Sequence, residues 1–351
     1  MALVTPFPTA CGGTVPISWW RAPQYESPPL SRVLVHFIPG NPGHIDFYSG
    51  FLSRLYAEAQ AMVSTTAGHG NVAVEVAGVP HAGHKPPTAG GGVRRLFGLD
   101  DQVRFHTRFA RRELATPVPT RIVLIGHSVG AYIAIKLLSA LPASRVARVV
   151  LLYPTYEHIA DTPHGRLMSR GITGAFSRHV APRLAPWLSR ALTTAPGRVL
   201  LRLCVRRLGL ADPPGTNAQA LAPNYRATVE ALAPALAQMA HMGRQEMAQI
   251  KELPARDRDA LRALGARVLM LFATGDGWAP LRWCHRARAA FAASGDAGAN
   301  AVVELDADFG IEHAFSVDTL SSLLVANRVA GFLREELLPP SAATAVARAK
   351  L

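Results

Sequence analysis

The sequence is poor in cysteine and has no long, uninterrupted hydrophobic run. Its 351 residues include three cysteines, Cys11, Cys204 and Cys284. They are too widely spaced for a disulfide framework or a cysteine metal site, so we expect a reducing compartment and neither metal nor cofactor. No apolar run reaches the ~18 residues that a membrane-spanning helix needs. The N-terminus has no basic segment followed by an apolar one, so we expect no signal peptide.

Acidic residues are also scarce, and one long segment of the chain contains none. The chain has 37 Lys and Arg against 24 Asp and Glu, a net charge of +13. Residues 162–211 contain nine arginines and no acidic residue. Neither clustered aromatic residues nor a known binding module accompanies this charge, so nucleic acid is not the expected partner.

Within that segment, the arginines repeat at the spacing of one helix face. Arg198, Arg202 and Arg206 lie four residues apart in an otherwise apolar stretch, with Arg207 beside them and Trp187 upstream. Such a helix places apolar side chains among acyl chains and guanidinium groups among anionic headgroups. The pattern favours a lipid droplet or anionic membrane surface. The alternative is a helix packed on the core with a solvated arginine face.

Strands and helices alternate along most of the chain, which indicates an α/β protein with a mostly parallel, doubly wound sheet. The alternation stops after the strand ending near Tyr153 and resumes near Ala266. We therefore predict a helical cap after the strand that ends near Tyr153, which is the sixth strand in the numbering of the α/β-hydrolase fold. The predicted organisation is a core at 1–155 and 256–338, an arginine-rich cap at 156–255 and a flexible tail at 339–351. Predicted strands lie at 14–20, 32–38, 71–77, 121–125, 145–153, 266–273 and 301–305.

A pentapeptide, Gly126-His-Ser128-Val-Gly130, directly follows one of these strands and precedes a helix. Gly-x-Ser-x-Gly in this position is typical of a nucleophile elbow, in which a tight turn exposes the serine above the sheet. The motif alone is weak, because a glycine-rich turn can match it by chance. His127 points away from the nucleophile in such a turn, so we expect it to have a structural role.

The remaining members of a Ser-His-Asp triad follow at the places that an α/β-hydrolase fold requires. Asp276 comes directly after the strand that follows the cap, and His313 lies in the loop after the last strand. We predict Ser128 as nucleophile, His313 as base and Asp276 as the acid that orients it. The rival acids Asp306, Asp308 and Asp318 lie too near the histidine in the chain.

An oxyanion needs two backbone N–H donors. One should be Val129, directly after the nucleophile. The other should come from the loop Pro39-Gly40-Asn41, with Asn41 at the donor position. The alternative for this loop is an ordinary Pro-Gly turn.

Together these segments resemble the lipid droplet-associated hydrolase family. The resemblance rests on short motifs that span residues 35–315: 36–43 with Phe47-Tyr48, 81–84, 124–133, 153–155, 275–280 and 313–315. It implies Ser128, Asp276 and His313 as the triad, esterase action on neutral lipids, and docking through the cap on lipid droplets. The expected location is the lipid droplet or the cytosolic face of the endoplasmic reticulum. Two segments depart from the family pattern, Thr162-Pro-His-Gly165 and Phe105-His106, which leaves the substrate range open. The family's motifs do not settle its substrate, so sterol ester and acylglycerol are both candidates.

Three functions remain open at this stage. The first is a serine esterase acting on lipid at a surface. The second is a catalytically weak droplet adaptor, and the third is an acyltransferase or thioesterase with the same triad. The final residues, Ala349-Lys350-Leu351, resemble a peroxisomal address, which gives an alternative location. The oligomeric state does not follow from the sequence.

Overall fold

The structure is a computed structural model. It describes residues 2–9, 14–22, 29–64, 72–84, 95–172, 225–292, 301–306 and 309–337. The predicted arginine helix with Arg198, Arg202, Arg206 and Arg207, the upstream Trp187, and the tail from 339 to 351 lie outside these residues.

The described chain is built on an eight-stranded sheet in the order β1-β2-β4-β3-β5-β6-β7-β8. β1 and β2 are antiparallel to each other and β2 is antiparallel to β4, whereas all pairs from β4 to β8 are parallel. The strands are β1 (Leu3–Pro8), β2 (Thr14–Trp20), β3 (Ser31–Ile38), β4 (Val72–Gly78), β5 (Thr120–His127), β6 (Val146–Leu152), β7 (Val268–Ala273) and β8 (Val302–Asp306).

Helices cover both faces of this sheet. α1 and α8 pack on one face, and α2, α3, α6 and α7 pack on the other. The helices are α1 (Ser49–Ser64), α2 (Leu99–Leu114), α3 (Val129–Leu138), α4 (Pro163–Ile172), α5 (Tyr225–Gln249), α6 (Ala255–Arg262), α7 (Leu281–Ala292) and α8 (Thr319–Leu337). This is the α/β-hydrolase fold that the sequence predicts.

The central strands are apolar on both sides because each side faces a helix layer. In β3, Leu34 and Ile38 belong to one core cluster, while Val33, Val35 and Phe37 belong to the other. Side chains alternate between the faces of a strand, so an unbroken apolar run is what two covered faces require.

The predicted elements agree with the structure within a few residues, except at the N-terminus. β1 was not predicted, because Pro6 and Pro8 interrupt the segment and strand prolines are confined to edges. Its Phe7 nevertheless packs edge-on against Phe105 and Phe109 of α2.

Between β6 and β7 the structure describes helices and no strand, in line with a helical insertion after the sixth strand. The cap limits 156–255 remain a prediction. Among the described helices, none is both long and apolar enough to cross a bilayer.

The sheet order places the ends of β3 and β5 side by side at the carboxyl edge. Successive connections leave these two strands toward opposite faces, and ligands bind at such a switch point in open α/β sheets. The loops after β3, β5, β7 and β8 therefore meet at one edge of the sheet.

Candidate active site

Ser128 occupies a strained turn between β5 and α3. Its φ is 55° and its ψ is −123°, a backbone conformation that residues other than glycine rarely adopt. A Cβ at Gly126 would lie 2.3 Å from the carbonyl oxygen of Gly130, and one at Gly130 would lie 2.2 Å from that of Ile38. Both flanking glycines are therefore required for the close approach of strand, turn and helix.

Three predicted side chains meet at this turn although the chain separates them widely. His313 Nδ1 lies 2.7 Å from Asp276 Oδ2, and His313 Nε2 lies 2.9 Å from Ser128 Oγ. A carboxylate accepts only, so Nδ1 carries the imidazole proton. Nε2 then presents its lone pair, and the serine hydroxyl donates to it.

Asp276 is held in an ionised state that suits this arrangement. Burial raises the pKa of its carboxyl, but the charge and hydrogen bond of His313 and two backbone amides lower it, and the net shift is downward. Those amides belong to Trp278 and Ala279 and donate to Oδ1 at 2.7 and 2.9 Å. The second oxygen is left for the histidine.

Two of the three rival acids accept hydrogen bonds from nearby backbone amides. Asp306 accepts from the backbone amides of Phe309 and Ile311, and Asp318 accepts from the amide of Ser321. Both stabilise local turns. Asp308 lies outside the described residues.

The loop after β3 runs directly beside Ser128. A Cβ at Gly40 would lie 3.0 Å from the Ser128 Cβ, so a larger residue here would push against the nucleophile. Asn41 follows Gly40, and Val129 is the first residue of α3, where a backbone N–H has no acceptor within its own helix. Val129 therefore directly follows the nucleophile and Asn41 directly follows the residue that borders it, while the oxyanion role of their two amides stays a prediction.

A hydrogen-bonded chain that sequence reasoning missed connects this loop to the base. Gly40 N lies 3.2 Å from Tyr48 Oη, Tyr48 Oη lies 2.7 Å from His127 Nδ1, and His127 Nε2 lies 2.9 Å from the His313 carbonyl oxygen. A carbonyl only accepts, so His127 Nε2 carries the proton and Nδ1 accepts from the Tyr48 hydroxyl. Tyr48 in turn accepts from the Gly40 amide.

Burial maintains the protonation states on which the direction of these hydrogen bonds depends. Burial, together with the neighbouring His313, lowers the pKa of His127 to about 3, so its ring stays neutral with a single ring proton. Burial raises the pKa of Tyr48, against the opposing effect of hydrogen bonds from Gly40 and Ser316, so the hydroxyl keeps its proton. The structural role expected for His127 is therefore a link between the loop and the base.

Further histidines lie beneath the same loop. His106 of α2 bridges His36 and His81 through contacts of 3.1 Å on each side, and His84 bonds the carbonyl oxygen of Pro42. Burial lowers the pKa of each of these four rings. They form a neutral polar support, here called the histidine cluster (His36, His81, His84 and His106).

Trp278 and His164 form part of the rim beside the base. The Trp278 ring centre lies 6.4 Å from that of His313 and 5.4 Å from that of His164. The His164 amide donates to the Gly277 carbonyl at 3.1 Å, which ties α4 to the loop that carries Asp276. Across the described part of the chain, no group of three or more potential ligands is arranged to hold a metal ion.

Comparison with known proteins gives the family context of this site. The family model described as lipid-droplet associated hydrolase matches residues 31–316. The lipid droplet-associated hydrolase of Gallus gallus is 26% identical over 329 residues, covering 91% of this chain and 90% of that protein. The one of Pongo abelii is 28% identical over 263 residues, 71% of each chain.

Among solved structures, the peroxisomal alpha-beta-hydrolase Lpx1 from Saccharomyces cerevisiae has a TM-score of 0.57 at 15% identity, covering 97% of this chain and 90% of that one. At this identity the similarity concerns the fold.

Proposed function

The chain belongs to the lipid droplet-associated hydrolase family, and on that premise we propose that it is a serine ester hydrolase acting on lipid esters at a droplet or membrane surface. One observation carries the proposal. His313 joins Asp276 and Ser128 through hydrogen bonds of 2.7 and 2.9 Å, with the proton arrangement that general-base catalysis needs.

In the proposed acylation step, Ser128 Oγ attacks the ester carbonyl carbon while its proton passes to His313 Nε2. The carbonyl π electrons move to oxygen, and the backbone amides of Val129 and Asn41 stabilise that oxyanion. Asp276 stabilises the imidazolium. When the intermediate collapses, the bond from the carbon to the leaving-group oxygen breaks, His313 protonates that oxygen so that it departs as the alcohol, and the acyl group stays on Ser128.

In the proposed deacylation step, water replaces the alcohol and the same groups act again. His313 Nε2 removes a proton from water as its oxygen attacks the acyl carbon. The intermediate then expels Ser128 Oγ, which recovers a proton from His313, and the free acid leaves. Trp278 beside the base supplies apolar surface for the lipid.

Exposed apolar side chains on either side of His313 in the chain support action at a lipid surface. Phe309 is 66% exposed and Leu320 is 64% exposed, and they flank the segment that carries His313 in the chain. The cationic pattern Arg198, Arg202 and Arg206, with Arg207 and Trp187, is the second element of this proposal and rests on the sequence. Droplet binding on the cytosolic side of the endoplasmic reticulum is the location we infer.

A fluorophosphonate probe tests the enzymatic part. We expect the wild type to be labelled, Ser128→Ala to lose labelling, and Ser64→Ala, a change at an exposed serine on α1, to keep it. A panel of sterol esters and acylglycerols then identifies the substrate class. An unlabelled wild type beside a labelled control esterase would favour the adaptor. Acyl transfer to an added alcohol or thiol in preference to water would favour the transferase.

Flotation with anionic liposomes tests the surface part. We expect Arg198→Glu combined with Arg202→Glu and Arg206→Glu to release the protein, and Phe309→Glu with Leu320→Glu to weaken binding. Hydrolysis of a short soluble ester should be unchanged in both variants. Wild-type flotation of both would contradict a role for these residues at the surface.

A further inference from the structure

Glu246 is a buried carboxyl group that the proposed mechanism does not use. It lies on α5 and is 5% exposed. Burial raises its pKa to about 7, while the hydrogen bond from Asn41 opposes the rise. A carboxyl group is rarely buried without a specific partner, because its desolvation is costly.

The partner is the side chain of Asn41. Asn41 Nδ2 donates to Glu246 Oε1 at 2.9 Å and to the Met239 carbonyl oxygen at 3.1 Å. Both neighbours can accept, so the amide nitrogen must face them and the orientation of the carboxamide is fixed. Helix α5 therefore holds both amide hydrogens of Asn41.

Other hydrogen bonds hold α5 against the core close to Glu246, so the position of Glu246 is fixed. Gln238 accepts from the Phe97 amide at 2.9 Å and donates to its carbonyl at 2.6 Å. Gln245 accepts from the Leu99 amide at 2.7 Å. These bonds dock the helix independently of Asn41.

Asn41 directly follows Gly40, whose backbone approaches Ser128. Its backbone amide can serve as an oxyanion donor only if the loop holds that amide at the correct angle, because a displaced donor loses most of its effect. The side-chain bonds to α5 hold this residue in addition to the bond between the Gly40 amide and Tyr48.

We propose that Glu246 is a positioning residue, which holds Asn41 so that its backbone amide faces the oxyanion. This inference rests on the proposed function. It also assigns the α5 segment of the insertion a part in positioning the oxyanion donor.

Replacement of Glu246 separates this role from simple packing. With a soluble p-nitrophenyl ester, we expect Glu246→Leu to lower kcat about 10- to 100-fold, since full loss of one oxyanion donor costs about 100- to 1000-fold. KM should stay within about twofold, because Glu246 does not touch the substrate. Glu246→Gln keeps an acceptor oxygen for Asn41 and should restore kcat to within about threefold of wild type.

Gln245→Leu is the matched control, because it loosens the docking of α5 without touching Asn41. We expect its kcat to stay within about threefold of wild type. Asn41→Ala should reproduce the Glu246→Leu loss, and the double variant should lose no more than either single change, as residues acting through one contact are not additive. If Glu246→Leu fails to fold, comparison of Asn41→Ala with Gln245→Leu tests the same contact.

Three results would overturn the inference: wild-type kcat in Glu246→Leu or Asn41→Ala, a loss confined to KM, or an equal loss in Gln245→Leu. Each of these presupposes an active wild type. Failure of the proposed function looks different, because Ser128 would then not react with the fluorophosphonate in any variant.

Discussion

Replacing Tyr48 by Phe removes one hydroxyl from the middle of the chain that joins Gly40, His127 and His313. The ring and its apolar contacts remain. The Gly40 amide and the Nδ1 acceptor of His127 lose their partner, and the Ser316 side chain loses its hydrogen bond with the same hydroxyl. A buried polar group left unsatisfied costs about 1–3 kcal/mol. We therefore expect the free energy of unfolding to fall by about 2–4 kcal/mol.

The same change should affect turnover more than substrate binding. Gly40 borders the nucleophile, and His127 holds the carbonyl of the base, so both ends of the site lose an anchor. We expect kcat to fall about 10- to 100-fold, a rise in the activation free energy of about 1.4–2.8 kcal/mol. KM should hardly change, because Tyr48 is 4% exposed and buried beneath the site.

Urea unfolding followed by tryptophan fluorescence gives the stability, and hydrolysis of a soluble ester gives kcat and KM. Tyr56→Phe is the control, since it lies on α1, the helix that directly follows Tyr48, and its hydroxyl bonds the Gln60 side chain. That variant should lose less than about 1 kcal/mol and keep its kcat. Tyr48→Phe with wild-type stability and kcat would refute the direction assigned to the network.

Three further predictions follow from buried charges. Asp276→Asn keeps the side-chain volume but removes the carboxylate that orients His313, so kcat should fall about 10⁴-fold with little change in thermal melting; a loss below about tenfold would argue against its role. Asp257→Ala removes the acceptor held by Lys136 at 2.5 Å and Ser139 at 2.7 Å. It should cost about 1–3 kcal/mol in urea unfolding and leave kcat unchanged, whereas an inactive variant would place this pair in the site. Stability should also fall as the pH drops below about 6.5, because burial lowers the pKa of buried histidines, to about 3 for His36, His84 and His127. Each histidine makes its full contribution to the free energy of unfolding above about pH 6.5. Below that pH, the contribution of each falls by at most about 1.4 kcal/mol per pH unit. Glu246, whose pKa is raised from 4.5 to about 7, opposes this trend between those values. Unfolding curves at fixed temperature between pH 4 and 8 measure the balance, and a flat profile would contradict it.

The elbow and the order of its partners could be predicted because they are local in the chain or fixed by topology. Gly126 and Gly130 bracket the serine by spacing alone. Asp276 and His313 follow strands whose carboxyl ends must share one edge of a parallel sheet. The pattern of apolar strands was therefore enough to predict that these three side chains would converge.

Tyr48 and Glu246 could not be identified in this way. Their partners lie far away in the chain: Tyr48 meets His127 across 79 positions and Asn41 meets Glu246 across 205. No spacing rule connects such residues, and a tyrosine or glutamate in a helix is ordinarily a surface or packing residue. The one available signal for the loop was its composition, Pro39-Gly40-Asn41, which predicted a turn but not what holds it.

The support around that turn has a physical reason. If the Asn41 amide is the second oxyanion donor, as we propose, it cannot be exchanged for a better side chain, because it belongs to the backbone. Its angle depends wholly on neighbours. Tyr48 fixes the loop through Gly40, Glu246 fixes it through the Asn41 carboxamide, and His84 fixes it through the Pro42 carbonyl.

Buried polar contacts of this kind contribute little net stability compared with apolar packing, but each has a defined direction. A site that must hold a backbone N–H donor in one orientation depends more on directional hydrogen bonds than on the energy of apolar packing. The same reasoning explains why the supporting rings must stay neutral. A protonated His81 or His106 would place a charge without a counter-ion beneath the loop, and burial lowers the pKa of both rings so that they stay neutral.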